Sequence, residues 1–158
     1  MAGTLSRRDN VLYLVYKLSG DVTGLILPGP ESKRLRCDNL WQTTCFECFI
    51  RPKGKSCYHE VNFSPSGCWN LYRFSEYRTA MREEPAVREF PSEAHMVDAE
   101  FLCGCTLPLA GLYQPEEVLD IGLSCVLEHG DGAKSYWALS HPGQQPDFHH
   151  PEGFGLRV

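Results

Sequence analysis

The stretch "CFECFIRPKGKSCYHEVNFSPSGCWNLYRF", Cys45 to Phe74, constrains the fold more than any other part of the chain. Three short runs rich in Phe, Ile, Tyr, Val, Trp and Cys are separated by two clusters of turn residues. Runs of this length and punctuation read as strands, and "RPKGKS" and "SPSG" read as the hairpin turns that join them. The same reading extends along the chain and gives strands at 11–18, 24–27, 43–51, 57–63, 68–74, 96–102, 119–127 and 134–140. Only 76–84 and 115–119 resemble short helical turns, and Pro85 stops the first. Many short strands with little helix specify an all-β fold, an antiparallel β-sandwich. A length of 158 residues fits one domain spanning 1–158.

The two turns suggest a register. If Arg51 faces Ser56, Glu47 lies opposite Glu60 and Cys45 opposite Asn62. If Phe63 faces Cys68, Asn62 pairs with Trp69, Glu60 with Leu71 and Tyr58 with Arg73. Side chains alternate between faces. One face then carries Phe46, Cys48, Ile50, His59, Val61, Phe63, Tyr72 and Phe74, a core. The other carries Cys45, Glu47, Phe49, Tyr58, Glu60, Asn62, Trp69, Leu71 and Arg73. Two carboxylates directly opposite each other destabilise a sheet unless something neutralises or uses them. Arg73 is the expected neutralising partner, which would keep both acids ionised.

Charge and patterning exclude several functions. The net charge of −5 and the lack of a Lys/Arg stripe argue against nucleic acid. Arg7-Arg8 and Lys33-Arg34 with Arg36 read as solvated loop charge. No apolar run reaches the ~20 residues of a membrane-spanning helix. The N-terminus has no apolar core or cleavage site of a signal peptide, so the expected location is cytoplasmic, with the cysteines as reduced thiols. Cys45 and Cys48 have C-x-x-C spacing, but on a strand that spacing sends the thiols to opposite faces, and the cysteines read as small buried hydrophobes rather than metal ligands. His149, His150, Asp147 and Glu152 could form a metal set; adjacent histidines on an extended chain diverge, and loop hydrogen bonding is the better reading.

The remaining constellation is Glu47 with Glu60. Carboxyl groups ~5 Å apart fit a retaining glycosidase. The same pair can accept hydrogen bonds from vicinal sugar hydroxyls while a tryptophan presents its flat face to the sugar. The residues alone leave both roles open, together with a structural or interaction sandwich that has no small ligand.

"RCDNLWQTTCFECFIR", "YHEVNFSPSGCWNLYRFSEYR" and "SYWALSHPGQQPDFHHPEGF" resemble the DOMON-like proteins related to the family 9 carbohydrate-binding modules. The resemblance runs from about Leu12 to the C-terminus. It implies a β-sandwich that binds a small saccharide without catalysis, with neither nucleic acid nor membrane as partner and no cofactor. Trp41 and Glu47 match the Trp and Glu, six residues apart, that help form the family's ligand slot. Glu60 and Asn62 fit its polar floor, Tyr58 and Arg73 adjoin it, and Trp137 or Phe148 supplies the second aromatic. Related modules can brace a loop with calcium. Haem-binding relatives use Met and His ligands, for which Met81, His95 and Met96 are available here. Members place a strand before "VLYLVYKL", of which this chain is expected to hold only part.

Overall fold

A computed structural model describes residues 1–30 and 35–158. Among these residues eleven strands form two antiparallel sheets: β1 (Ala2–Arg8), β2 (Val11–Leu18), β3 (Cys45–Pro52), β4 (Tyr58–Phe63), β5 (Trp69–Phe74), β6 (Arg82–Glu83), β7 (Ser92–Val97), β8 (Glu100–Pro108), β9 (Leu119–Glu128), β10 (Lys134–Ala138) and β11 (Leu156–Arg157). Among the described residues, helix is limited to single turns at Leu40–Gln42 and Pro151–Gly153. One sheet has the order β1-β2-β8-β7; the other runs β10-β9-β3-β4-β5-β6, with β11 also on β9. The protein is an all-β sandwich.

The core lies between the sheets. From the smaller sheet come Leu12, Leu14, Tyr16, Leu18, Phe101, Cys103, Cys105 and Leu107; from the larger come Phe46, Ile50, Val61, Phe63, Trp69, Leu71, Ile121 and Leu123. Burying each large side chain contributes about 1.5–3 kcal/mol. β2 alternates as one-sided packing requires, with Leu12, Leu14 and Tyr16 inside and Tyr13 and Val15 outside. β4 and β9 do not alternate, because both of their faces are covered and nearly every residue is buried. The Tyr16 hydroxyl crosses the core and donates to the Glu47 carbonyl, which fixes the backbone that carries one acid of the outer face.

Two registers differ from the sequence-based expectation, with unequal consequences. Glu47 pairs with Asn62 and Phe49 with Glu60. That is two residues from the expected pairing, so faces are preserved but the acids stand diagonally, a ~7–8 Å relation rather than a direct one. Phe63 pairs with Trp69, Asn62 with Asn70, Glu60 with Tyr72 and Tyr58 with Phe74. This is a one-residue slip, and it turns every side chain of β5 over. Trp69 and Leu71 enter the core, while Tyr72 and Phe74 join the outer face. The cause is the turn: Ser64 N–H donates to the Cys68 carbonyl and Gly67 N–H to the Ser64 carbonyl, closing a five-residue loop 64–68 with Gly67 at φ 90.

Other expectations change as well. β1 is a seven-residue strand where the residue pattern marked none and the resemblance implied only part of one; it joins β2 through Asp9 and Asn10, both left-handed at φ 49 and 56, the two-residue turn that suits a twisted hairpin. The expected strand 96–102 is a hairpin, β7 and β8, turning at Asp98 with φ 54. Residues 24–27 make a single bridge, Leu25 to His129, and neither 76–84 nor 115–119 is helical. Lys33 and Arg34 lie outside the described residues. Arg36 and Arg7 are not solvated loop charge. Arg36 stacks 4.4 Å from the Trp69 ring and donates to Asn70 Oδ1 and to the carbonyls of Glu84 and Val87. Arg7 donates to the carbonyls of Gln114 and Glu117. Cys45 and Cys48 do face opposite ways, into separate apolar clusters.

Candidate functional site

The outer face of the larger sheet becomes a cavity because of how the C-terminal chain is routed. β10 pairs with Ser124–Glu128 of β9, and β11 returns to the other half of the same edge at Asp120 and Ile121. Residues 139–155 therefore leave the edge and fold back over the outer face. Arg157 ties the return to Asp120 at 2.8 Å. Phe154 stacks on Phe49 with centroids 5.7 Å apart. Gly122 makes room for this ring, since a Cβ there would sit 2.8 Å from Phe154 Cδ1.

The space left open is about 580 Å³, within the range of small-molecule sites. Glu47 of β3, Glu60 of β4, Phe74 of β5 and Val126 of β9 lie on its sheet side. Trp41 and Gln42 line it from the turn before β3, Arg78 and Met81 from the loop after β5, Lys134 and Tyr136 from β10, and Pro146, Phe148 and His149 from the returning segment. Trp41 sits on the helical turn whose Leu40 is buried against Cys45 and Cys68, and its ring meets Tyr72 edge-on at 5.7 Å.

The acids are built in. Glu47 and Glu60 are 3% and 4% exposed. Glu47 Oε2 accepts from the Ser124 hydroxyl at 3.1 Å, and Glu60 Oε1 from Asn62 Nδ2 at 2.8 Å. Burial pushes the Glu47 carboxyl well above the usual carboxylate range and neighbouring Glu60 pushes it further, against the Ser124 hydrogen bond and the Arg78 charge. Burial likewise raises Glu60, to about 7, against Asn62 and Arg78. The pair therefore holds a proton at neutral pH that two ordinary glutamates would have lost.

His149 covers Glu60. Its Nδ1 is 2.7 Å from the Tyr58 hydroxyl and its Nε2 is 3.6 Å from Glu60 Oε2. Desolvation lowers the imidazole to about 4, helped by Arg78, so at neutral pH the contact with Glu60 is not an ion pair. Arg78 holds Asp147 at 2.8 Å, and Tyr77 donates to the other Asp147 oxygen at 2.6 Å. Arg78 is itself left-handed, at φ 52, with its backbone N–H on the Tyr58 hydroxyl. Its conformation is thus held from both ends.

Of the residues singled out from sequence, the structure brings Trp41, Glu47, Glu60 and Phe148 to the cavity. Asn62 and Tyr58 stand behind it: Asn62 is fully buried and orients Glu60, and Tyr58 stacks on Phe74 and holds His149. Arg73 is not there. The β5 slip puts it, exposed, on the opposite face beside His59 and Glu84, at a separate recess of about 200 Å³. The guanidinium near the acids is that of Arg78, and it does not keep them ionised. Trp137 also points away: it pairs with core-facing Cys125, whereas Tyr136 pairs with Val126 and lines the cavity. Phe74, Arg78 and Tyr136 lie inside the stretches that carry the resemblance but were not singled out, and Lys134 lies just outside them; for Tyr136 and Phe74 the usable signal was strand parity, one residue from the positions chosen. Met81 lines the cavity, but His95 and Met96 belong to β7 in the other sheet. Among the described residues no three His, Cys, Asp or Glu side chains are placed to share a metal ion, the His149, His150, Asp147 and Glu152 set included.

No protein-family model matches the chain, and no curated protein matches it. The resemblance to DOMON-like and family 9 modules therefore rests on the motifs alone. Among solved structures, the chain is similar to a protein from Bacteroides uniformis ATCC 8492 described as a "putative carbohydrate-binding protein". The TM-score is 0.66 at 12% identity, covering 97% of this chain and 75% of that one. At that identity the likeness establishes a shared fold.

Proposed function

We propose that the cavity binds a small saccharide or similar polyol without transforming it, as family 9-type modules do. The observation that carries the reading is the pairing of two buried carboxyl groups with aromatic walls from Trp41, Tyr136 and Phe148. Sugars present hydroxyls to such acids and C–H faces to such rings. The solved structure of the same fold, described as carbohydrate-binding, supports it. Each hydroxyl contact replaces one to water and nets about 1 kcal/mol, so modest affinity is expected.

A second reading is favoured by one specific feature. With both carboxyls raised by burial, the pair can hold one acid and one base at neutral pH, the division that a glycoside hydrolase needs. Titrating tryptophan fluorescence with mono- and oligosaccharides, while following reducing-sugar release, separates the two. Saturable quenching without release supports binding. Release that disappears in Glu47→Gln establishes hydrolysis, and no response to any sugar overturns both.

A further inference from the structure

We infer that the ligand carries a protonated amine as well as hydroxyls, as an amino sugar or amino-polyol does, with the ammonium seated at the Glu47–Glu60 end of the cavity. The inference rests on the saccharide reading and names its chemical class. It starts from missing positive charge. Two buried carboxyls share the sheet side of the cavity, and acids in that position are costly unless a cation is committed to them. None is. Arg78 is engaged with Asp147 at 2.8 Å. His149 takes up the Tyr58 hydroxyl at one nitrogen, which leaves one ring nitrogen, 3.6 Å away and uncharged at neutral pH, toward Glu60. Ser124 and Asn62 supply one hydrogen bond to each acid but no charge.

Lys134 is too far along the sheet to serve. It lies on β10, three strands from Glu60 and two from Glu47 in the order β10-β9-β3-β4, ~14 Å from Glu60 at the usual strand spacing. Ala138, four residues further along β10, is the residue level with Glu47 through Ser124, whereas Lys134 pairs with Glu128. The other titratable neighbours, Cys45 beside Glu47 and Tyr58 and Tyr72 around Glu60, are neutral at ordinary pH or would add negative charge. An ammonium brings three donors and the charge that hydroxyls lack. Rings from Trp41, Phe74, Tyr136 and Phe148 surround the same space, and aromatic faces attract a desolvated cation. Burial keeps a proton on the pair, and an ammonium beside it supplies the charge that lets that proton leave.

The test compares glucose, galactose and mannose series, each as hexose, hexosamine and N-acetylhexosamine, with spermidine as an amine that has no hydroxyls. Binding is read by tryptophan fluorescence between pH 5 and 7. The expected result is that one hexosamine binds at least tenfold more tightly than its parent and its N-acetyl form. Its affinity should rise by up to about tenfold per pH unit, because the cation selects ionised Glu60 and one proton leaves on binding. Glu60→Gln, with folding verified by its melting curve, should erase both preference and slope. A preference below tenfold, or an affinity independent of pH, overturns the amine and leaves the saccharide reading standing. Spermidine binding as tightly as the best hexosamine removes the saccharide and with it the proposal. Binding of no probe removes both.

Discussion

Replacing Glu60 with Gln should make the protein more stable at neutral pH. In the fold, burial pushes the carboxyl from its ordinary 4.5 up to about 7. At about 1.4 kcal/mol per unit, ionisation then costs the native state about 3 kcal/mol. The sign follows from the direction: a raised acid favours the native state below pH 4.5, and that advantage is lost as pH rises through 7. Gln keeps an oxygen for Asn62 Nδ2. Its amide nitrogen would face His149 Nε2, which can become the acceptor if the ring proton moves to Nδ1 and is donated to the Tyr58 oxygen. For a chain of this size, 3 kcal/mol corresponds to about 6–12 °C in Tm. Thermal melts at pH 5, 6, 7 and 8 provide the assay. Wild type should lose stability over this range, and Glu60→Gln should lose less and melt higher at pH 8. A variant that melts below wild type at pH 8, or a wild-type profile flat from pH 5 to 8, would falsify the argument. The gain would mark these acids as retained against stability, as ligand-binding groups commonly are.

Trp41→Ala should abolish saccharide quenching of the remaining tryptophans yet cost only about 1 kcal/mol of stability, because the ring's aromatic contact is one edge-on pair with Tyr72; calorimetric binding and a urea melt check both halves. The His149 ring should stay neutral to about pH 4, so its NMR resonances should not titrate between pH 7 and 5 as an exposed histidine's do. Gly104→Ala places a Cβ 2.8 Å from the Leu14 carbonyl oxygen; the shift forced on the β2–β8 ladder should cost about 1–3 kcal/mol, seen as a lower Tm with the cavity's ligand binding intact. Arg36→Ala strips the cation from Trp69 and donors from Asn70, Glu84 and Val87, and a denaturant melt should show a loss of about 2–4 kcal/mol.

The sequence by itself determined the class of fold and the central hairpins. Period-two runs between Gly and Pro clusters have few other solutions, and β2, β3, β4, β5 and β9 stand within two residues of where those runs placed them. It also determined that Glu47, Glu60 and Asn62 share a face, because a register error of two leaves parity unchanged. Parity was lost at one turn: a five-residue closure through Gly67 is not legible in "SPSG", and it exchanged Arg73 for Tyr72 and Phe74. The residue pattern did not mark β1, which only the resemblance implied in part, because "AGTLSRR" is polar and small; pairing with β2 makes it a strand rather than its own pattern. Only the tertiary structure decided that the outer face is a cavity at all. That depends on β10 and β11 dividing one edge of β9 and on the chain between them folding back with Phe148, His149 and Phe154. The raised acids follow from the same fold-back, since a carboxyl's affinity for its proton is set by the solvent excluded around it, which no local stretch of sequence encodes.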